Sequence, residues 1–282
     1  MNSRSTNVIV GMDFSLFSAY ALDHAISMSK HTSFQIHLVY LIENSHEIIG
    51  GSINTNEEQI KQWFTLKLEE LKKSFQWDNY TFDIHILNGK PYIEIPLLAK
   101  KLNAQFVFLG ANSSNKNQSN HTGSNVLRII SNAECTVVVL KERDTYQPYH
   151  TILLPLELNS MDDYPVVNFT IDFLKDFSNM TVRMISIFNN KTDAQINTAI
   201  EQIGFLQKKI EDAGYKCSAE IVKSNRPSEK ISEIIMDYSG KCESDVVFLY
   251  HHRSTELKGY FLGPVALEIT NRINIPVFIM NT

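Results

Sequence analysis

Phe106–Ser124, FVFLGANSSNKNQSNHTGS, is an apolar run that stops at Gly110, crosses small and polar residues, and resumes at Gly123-Ser124. Val126, Leu127, Ile129 and Ile130 follow at helical spacing. The segment therefore reads as a strand, a loop and the start of a helix. The first backbone N–H groups of a helix have no partner within it, so such a start attracts anions, phosphate above all. A glycine at each end of the loop lets the backbone turn sharply and approach a ligand with no Cβ in the way. Ser124 can cap the helix or give its hydroxyl to a phosphate oxygen. An ordinary strand-to-helix connection rich in Ser and Asn has the same composition, so the rest of the chain must decide.

Upstream of this segment, apolar runs alternate with helical stripes. Val8–Met12 is a continuous apolar run, as expected of a strand covered on both faces, and Asp13 stands at its carboxyl end. Ser15 can cap a helix reaching about Lys30, with Phe17, Ala21, Ala25 and Met28 along one face. Ile36–Ile42 is a second strand, and Glu57–Phe75 a helix striped by Ile60, Phe64, Leu68 and Leu71. Phe82–Leu87 is a third strand, Asn88-Gly89-Lys90-Pro91 a turn, and a helix follows to about Leu102. Pro96 must lie in its first turn or kink it. After Phe106–Leu109, the loop and a helix to Asn132, Thr136–Leu140 closes the half. Strands alternating with helices imply a parallel sheet with right-handed crossovers, whose ligands sit beyond the carboxyl ends of the strands. That rule brings Asp13, the residues near Leu41 and the Gly110 loop to one edge.

The spacing Gly110, two residues, Ser113, nine residues, Gly123-Ser124 resembles the nucleotide-binding signature of the universal stress protein family, Gly-x2-Gly-x9-Gly-(Ser/Thr). One position departs from it, Ser113 in place of the second glycine. The resemblance spans the half: a strand ending in Asp13, Gly89-x-Pro91 before the third helix, the loop and a closing apolar strand. It implies a Rossmann-like (adenine nucleotide α-hydrolase-like) α/β domain, a five-stranded parallel sheet of order 3-2-1-4-5 with helices on both faces. It also implies the site residues. Asp13 would hydrogen-bond the nucleoside and the backbone near Leu41 would read the adenine edge. Gly110, Ser113, Gly123, Ser124 and Asn125 would hold the phosphates, with ATP, accompanied by Mg, as the implied ligand.

Lys141–His150, KERDTYQPYH, reads as a linker between a domain of residues 1–142 and one of residues 149–282, for beyond it the pattern repeats. Strands are expected at Thr151–Leu156, Val182–Phe188, Ala219–Val222, Val246–Tyr250 and Pro276–Met280. Helices are expected at Asp162–Phe177, Asp193–Ala213, about Ser228–Tyr238 and Pro264–Arg272. Phe106 and Val246, Gly123 and Gly263, and Cys135 and Ile275 are each separated by 140 residues, the mark of an internal duplication. Asp13 corresponds to Glu157 and Pro91 to Pro227. The second copy does not keep the loop, because Tyr250 stands for Gly110, Arg253 for Ser113, and Gly263-Pro264 for Gly123-Ser124. A tyrosine crowds the backbone approach that glycine permits, and a proline removes a donor at the helix start. The second half is expected to hold a filled, silent pocket. The other reading of His251, His252 and Arg253 is a separate anion or regulatory site.

At 282 residues, 43% hydrophobic and 20% charged, the chain suffices for two ordinary soluble domains. A net charge of -5, with only scattered lysine pairs, gives no footprint for nucleic acid. No run approaches the roughly 20 apolar residues that span a bilayer, and the first residues read as a strand, not a signal peptide. Three scattered cysteines, Cys135, Cys217 and Cys242, suit neither a disulfide framework nor a zinc site and fit a reducing, cytoplasmic setting.

There is no Gly-Lys-(Ser/Thr) and no G-x-S-x-G, so no catalytic residue is assigned. The expectation is a tandem universal stress protein that signals through an adenine nucleotide and protein contacts. Its two closing strands would join the halves as an intrachain pseudo-dimer, and a homodimer could form through other surfaces. The rival readings are a slow nucleotide hydrolase and a scaffold that binds no nucleotide, the latter favoured by Ser113.

Overall fold

Continuous apolar runs become the central strands of the computed structural model, which describes residues 5–42, 57–77, 79–111, 124–141, 148–158, 165–177, 179–188, 193–224, 230–251 and 264–281. The chain divides into two units, one drawn mainly from Met1–Tyr146 and the other mainly from Gln147–His252 and Leu262–Met280. The first unit runs β1 (Thr6–Gly11), α1 (Leu16–Met28), β2 (Phe34–Ile42), α2 (Glu57–Phe75), β3 (Asp83–Asn88), α3 (Pro91–Leu102), β4 (Phe106–Gly110), α4 (Ser124–Asn132) and β5 (Thr136–Leu140). Its strands lie in the order β3-β2-β1-β4-β5. The pairings β1–β2, β1–β4, β2–β3 and β4–β5 are all parallel.

Alternation along the strands sorts the helices onto two faces. Phe106 and Phe108 point to the side of α1, where the His24 ring lies 6.3 Å from that of Phe108. Phe34 of β2 packs on both phenylalanines of β4. Tyr40, on the same face of β2, meets Phe64 of α2. Val107 and Leu109 therefore point to the other side, where α3 packs on β1 and α4 on α3 and β5. The single apolar stripe expected for α1 proves too narrow. Ser18, Ala19, Ala21, Leu22, His24, Ala25, Ile26, Ser27 and Met28 are all buried, so the helix is covered nearly all round.

Pro96 lies within α3, not in its first turn. It cannot donate to the Tyr92 carbonyl four residues back, and the Asn132 side-chain amide supplies that bond at 2.8 Å. The Arg128 guanidinium stacks 3.3 Å from the Tyr92 ring centroid, a second tie between α3 and α4.

The second unit repeats the plan with β6 (Thr151–Pro155), α5 (Pro165–Asp176), β7 (Thr181–Phe188), α6 (Asp193–Asp212), β8 (Lys216–Lys223), α7 (Ile231–Lys241), β9 (Val246–His251), α8 (Pro264–Arg272) and β10 (Val277–Asn281). Its order β8-β7-β6-β9-β10 is the same 3-2-1-4-5 arrangement. β8 pairs with β7 over its full length and exceeds the expected Ala219–Val222, because an outer strand needs no apolar run to announce it. No described helix is long and apolar enough to cross a membrane.

At the amino end of the first sheet, one face of β1, β2 and β3 collects Asn7, Gln35, His37, Asp83 and His85. Asn7 donates its amide to the Leu102 carbonyl, leaving Oδ1 to accept from His37 Nε2 at 3.3 Å. His37 Nδ1 then accepts from His85 Nε2 at 3.1 Å. Burial lowers the pKa of both rings against the opposing pull of Asp83, and the charges of His85 on His37 and of Lys101 on His85 add to the lowering. The unfolded chain therefore binds these protons first as pH falls below the ordinary histidine value of 6.5. The stability they confer is complete above that value and declines toward the lowered folded values. Thermal melts between about pH 7.5 and about pH 5 should fall more steeply for the parent than for a His37→Gln/His85→Gln variant. Parallel slopes would mean the pair is not held neutral.

Candidate functional site

The carboxyl ends of β1, β2 and β4 carry three of the residues that the sequence singles out, Asp13, Leu41 and Gly110. Gly11 lies opposite Val39 in the β1–β2 register, and the Met12 N–H extends the ladder to the Val39 carbonyl, so Leu41 sits at the same edge as Asp13. Asp13 is exposed, and its Oδ1 accepts the Ser15 N–H at 2.9 Å. Ser15 caps α1 by accepting the Ser18 N–H at 3.2 Å, as its sequence position predicts. Between them Phe14 adopts the left-handed region, φ 61, a strained conformation for a residue with a Cβ.

That conformation is held by rings which the sequence reading passed over. Phe14 lies 4.9 Å from Phe64, 5.2 Å from Trp63 and 6.0 Å from Tyr40, and Tyr40 lies 5.5 Å from Trp63. Phe64 is fully buried, whereas Tyr40 and Trp63 are half-buried and form an aromatic wall beside Asp13. Burial raises the Tyr40 pKa, and the nearby Asp13 carboxylate raises it further. The four aromatics are plain in the sequence, but their convergence depends on how β1, β2 and α2 pack together.

Gly110 ends β4 at the same edge, level with Leu140. A Cβ built on it would lie 2.2 Å from the Phe17 carbonyl carbon and oxygen and 2.6 Å from the Ser18 nitrogen. The close approach that this glycine permits is therefore to the first turn of α1, and that contact accounts for the residue without any ligand. Ser113 and Gly123 lie outside the described residues. Ser124 is the first residue of α4, and half-buried Asn125 follows it in the first turn. The edge thus brings together Asp13, Leu41, Gly110 and the start of α4.

Lys141, read from sequence as the first linker residue, is instead buried, 5% exposed. It directly follows β5, where the Ala111 N–H donates to the Leu140 carbonyl at 2.7 Å. Nothing in KERDTYQPYH distinguishes a buried lysine from a solvated one.

In the second unit the corresponding edge differs. Glu157 is exposed, Tyr250 half-buried and His251 buried at 4% exposure, so His251 faces the interior. His252, Arg253 and Gly263 lie outside the described residues. Its most ordered charges lie elsewhere, on α7 and α8. Glu268 accepts from Ser232, Lys230 and Arg272, and these bonds, the Ser232 hydroxyl foremost, hold its carboxyl down at about 2.

Two thiols are held away from the thiolate. Burial pushes Cys217 up to about 12 and raises Cys242 as well, and none of the three cysteines forms a disulfide among the described residues. Among the described residues no group of three or more His, Cys, Asp or Glu could hold a metal ion.

The family model for the universal stress protein family matches residues 5–141. A universal stress protein of Methanocaldococcus jannaschii is 27% identical over 139 residues, which is 48% of this chain and 81% of that protein. Among solved structures, a universal stress protein from Archaeoglobus fulgidus aligns with a TM-score of 0.75 at 14% identity, over 99% of each chain. A functionally unknown protein from Pseudomonas aeruginosa aligns at 0.63 with 12% identity, over 99% of this chain and 93% of that one. These two alignments are likenesses of fold, and they extend through both halves.

The Gly110 contact makes a direct prediction. Gly110→Ala places a methyl group against main chain that cannot yield, and overpacking of this kind should cost at least about 2 kcal/mol. A lowered denaturant midpoint with or without nucleotide is the expected result. A midpoint equal to the parent's would show that α1 can move away.

Proposed function

We propose, for a chain that belongs to the universal stress protein family through residues 5–141, that its N-terminal half binds ATP or a related adenine nucleotide at the carboxyl edge of its sheet. The observation that carries this reading is the convergence of Asp13, Leu41, Gly110 and the start of α4 where the strand order reverses, between β1 and β4. In it, the exposed Asp13 carboxylate accepts from the ribose hydroxyls, and the half-buried side of the Tyr40–Trp63 wall shields the nucleoside from water. The main chain at Leu41 meets the adenine edge. The N–H groups of α4, with Ser124 and Asn125, take the phosphates together with Ser113 and Gly123, and Mg accompanies a triphosphate.

The role we infer is ligand-dependent signalling in the stress response, exerted through protein contacts in the cytoplasm and not through turnover. Three cysteines without a disulfide among the described residues suit such a compartment. The second half, with Tyr250 where the first has Gly110, is read as silent toward nucleotide.

Isothermal titration of the full chain with ATP tests this. One equivalent is expected, abolished by Gly123→Val. No binding by the parent would give the lead to a scaffold that works by protein contacts alone, and two equivalents would refute the silent second half.

A further inference from the structure

Among the described residues of the first unit, Lys141 is a buried cation with no partner for its charge. Its residue is 5% exposed, and Nζ has no hydrogen-bond partner. No ion pair reaches it among the described residues. Such a group is expensive to bury unless it is paired, so an orphan of this kind calls for an explanation. Burial lowers its pKa to about 8, which leaves the ammonium predominantly charged at neutral pH.

Its direction follows from strand alternation. Gly110 pairs with Leu140, and both belong to the face that meets α1, as the Phe17 contact shows. The next residues, Ala111 and Lys141, belong to the opposite face, with Val107, Leu109, Val137 and Val139. That is the face on which α4 packs against β5. β5 runs parallel to β4, so Lys141 stands at the carboxyl edge, the edge at which α4 begins. The first N–H groups of α4 supply partial positive charge there, and Lys141 supplies a full one. Two positive sources thus stand at one edge on different elements, and among the described residues no ion pair reaches Lys141.

The other half gives an internal comparison. At the duplication offset of 140 that relates Phe106 to Val246 and Gly123 to Gly263, the counterpart of Lys141 is Asn281. The half that keeps the loop glycines has a buried cation at this position, and the half that has lost Gly110 has a buried neutral amide.

We propose that Lys141 is the buried counter-charge for a phosphate group held at the start of α4. The proposal rests on the nucleotide reading for its preferred ligand, a nucleoside phosphate, but its chemistry is that of any phosphate. The ligand closes the charge balance that the described residues leave open. The nucleoside contributes contacts at Asp13 and the aromatic wall that do not involve Lys141.

The test uses the full-length chain beside Lys141→Met and Lys141→Gln, with ATP, AMP, adenosine and inorganic phosphate as probes. Without ligand, both variants should melt at or above the parent temperature, since each removes an unpaired buried charge. ATP and AMP should bind the variants roughly 10- to 100-fold more weakly, the scale of a charge-assisted bond, and adenosine equally to all three proteins. Equal ATP affinity across the three would overturn the proposal. Should the parent bind no nucleotide, the nucleotide reading fails by itself. Inorganic phosphate then decides for Lys141: a melting temperature raised in the parent alone upholds a free-phosphate site, and no difference among the three overturns it.

Discussion

The backbone of Gly110 lies against the first turn of α1 at a distance that excludes even a methyl group. This contact fixes the end of β4 relative to the start of α1, and with it the short connection that carries Asp13, Phe14 and Ser15. Only residues 12–15 separate β1 from α1, so there is little slack with which to place Asp13 anywhere else. The second half solves the same connection differently. Residues 156–164 separate β6 from α5, and Tyr250 occupies the position of Gly110. A longer connection relieves α5 of the need to start hard against β9, so a large side chain can stand there. The first glycine of a loop motif can thus be demanded by helix packing, and its loss need not be read as loss of a ligand alone.

The fold was legible because its strands are buried on both faces. Continuous runs such as VIV at residues 8–10 and VVV at residues 137–139 leave no doubt about their environment, and the duplication repeats them. What escaped was whatever depends on neighbours distant in sequence. α1 is covered all round, yet small residues such as Ala19, Ala21 and Ser18 give it no continuous apolar signature. Pro96 read as a disruption, and its cost is offset by an Asn132 amide 36 residues further on. His37 and His85 come into contact only because β2 and β3 pair in one register.

The candidate site divides along the same line. Asp13, Leu41 and the start of α4 could be placed from the rule that ligands meet parallel sheets at their carboxyl ends, which needs only the strand boundaries. The aromatic wall and Lys141 could not. Phe14 is held in a left-handed conformation by rings from β2 and α2, and a sequence assigns no φ. Lys141 belongs by composition to a polar stretch, and its burial is a property of packing that composition does not show.

Two groups of opposite charge stand at this edge. The chain places its carboxylate, Asp13, in solvent at the end of β1 and its ammonium, Lys141, in the interior at the end of β5. An exposed carboxylate keeps its hydration and acts as a hydrogen-bond acceptor, whereas a buried unpaired ammonium stabilises an incoming anion strongly because no water competes. Phosphoryl transfer would need charge neutralised on the leaving oxygens together with a group that orients the attacking nucleophile. The polarity at this edge meets the first of these needs, and it suits the holding of a phosphate ester that the nucleotide reading proposes.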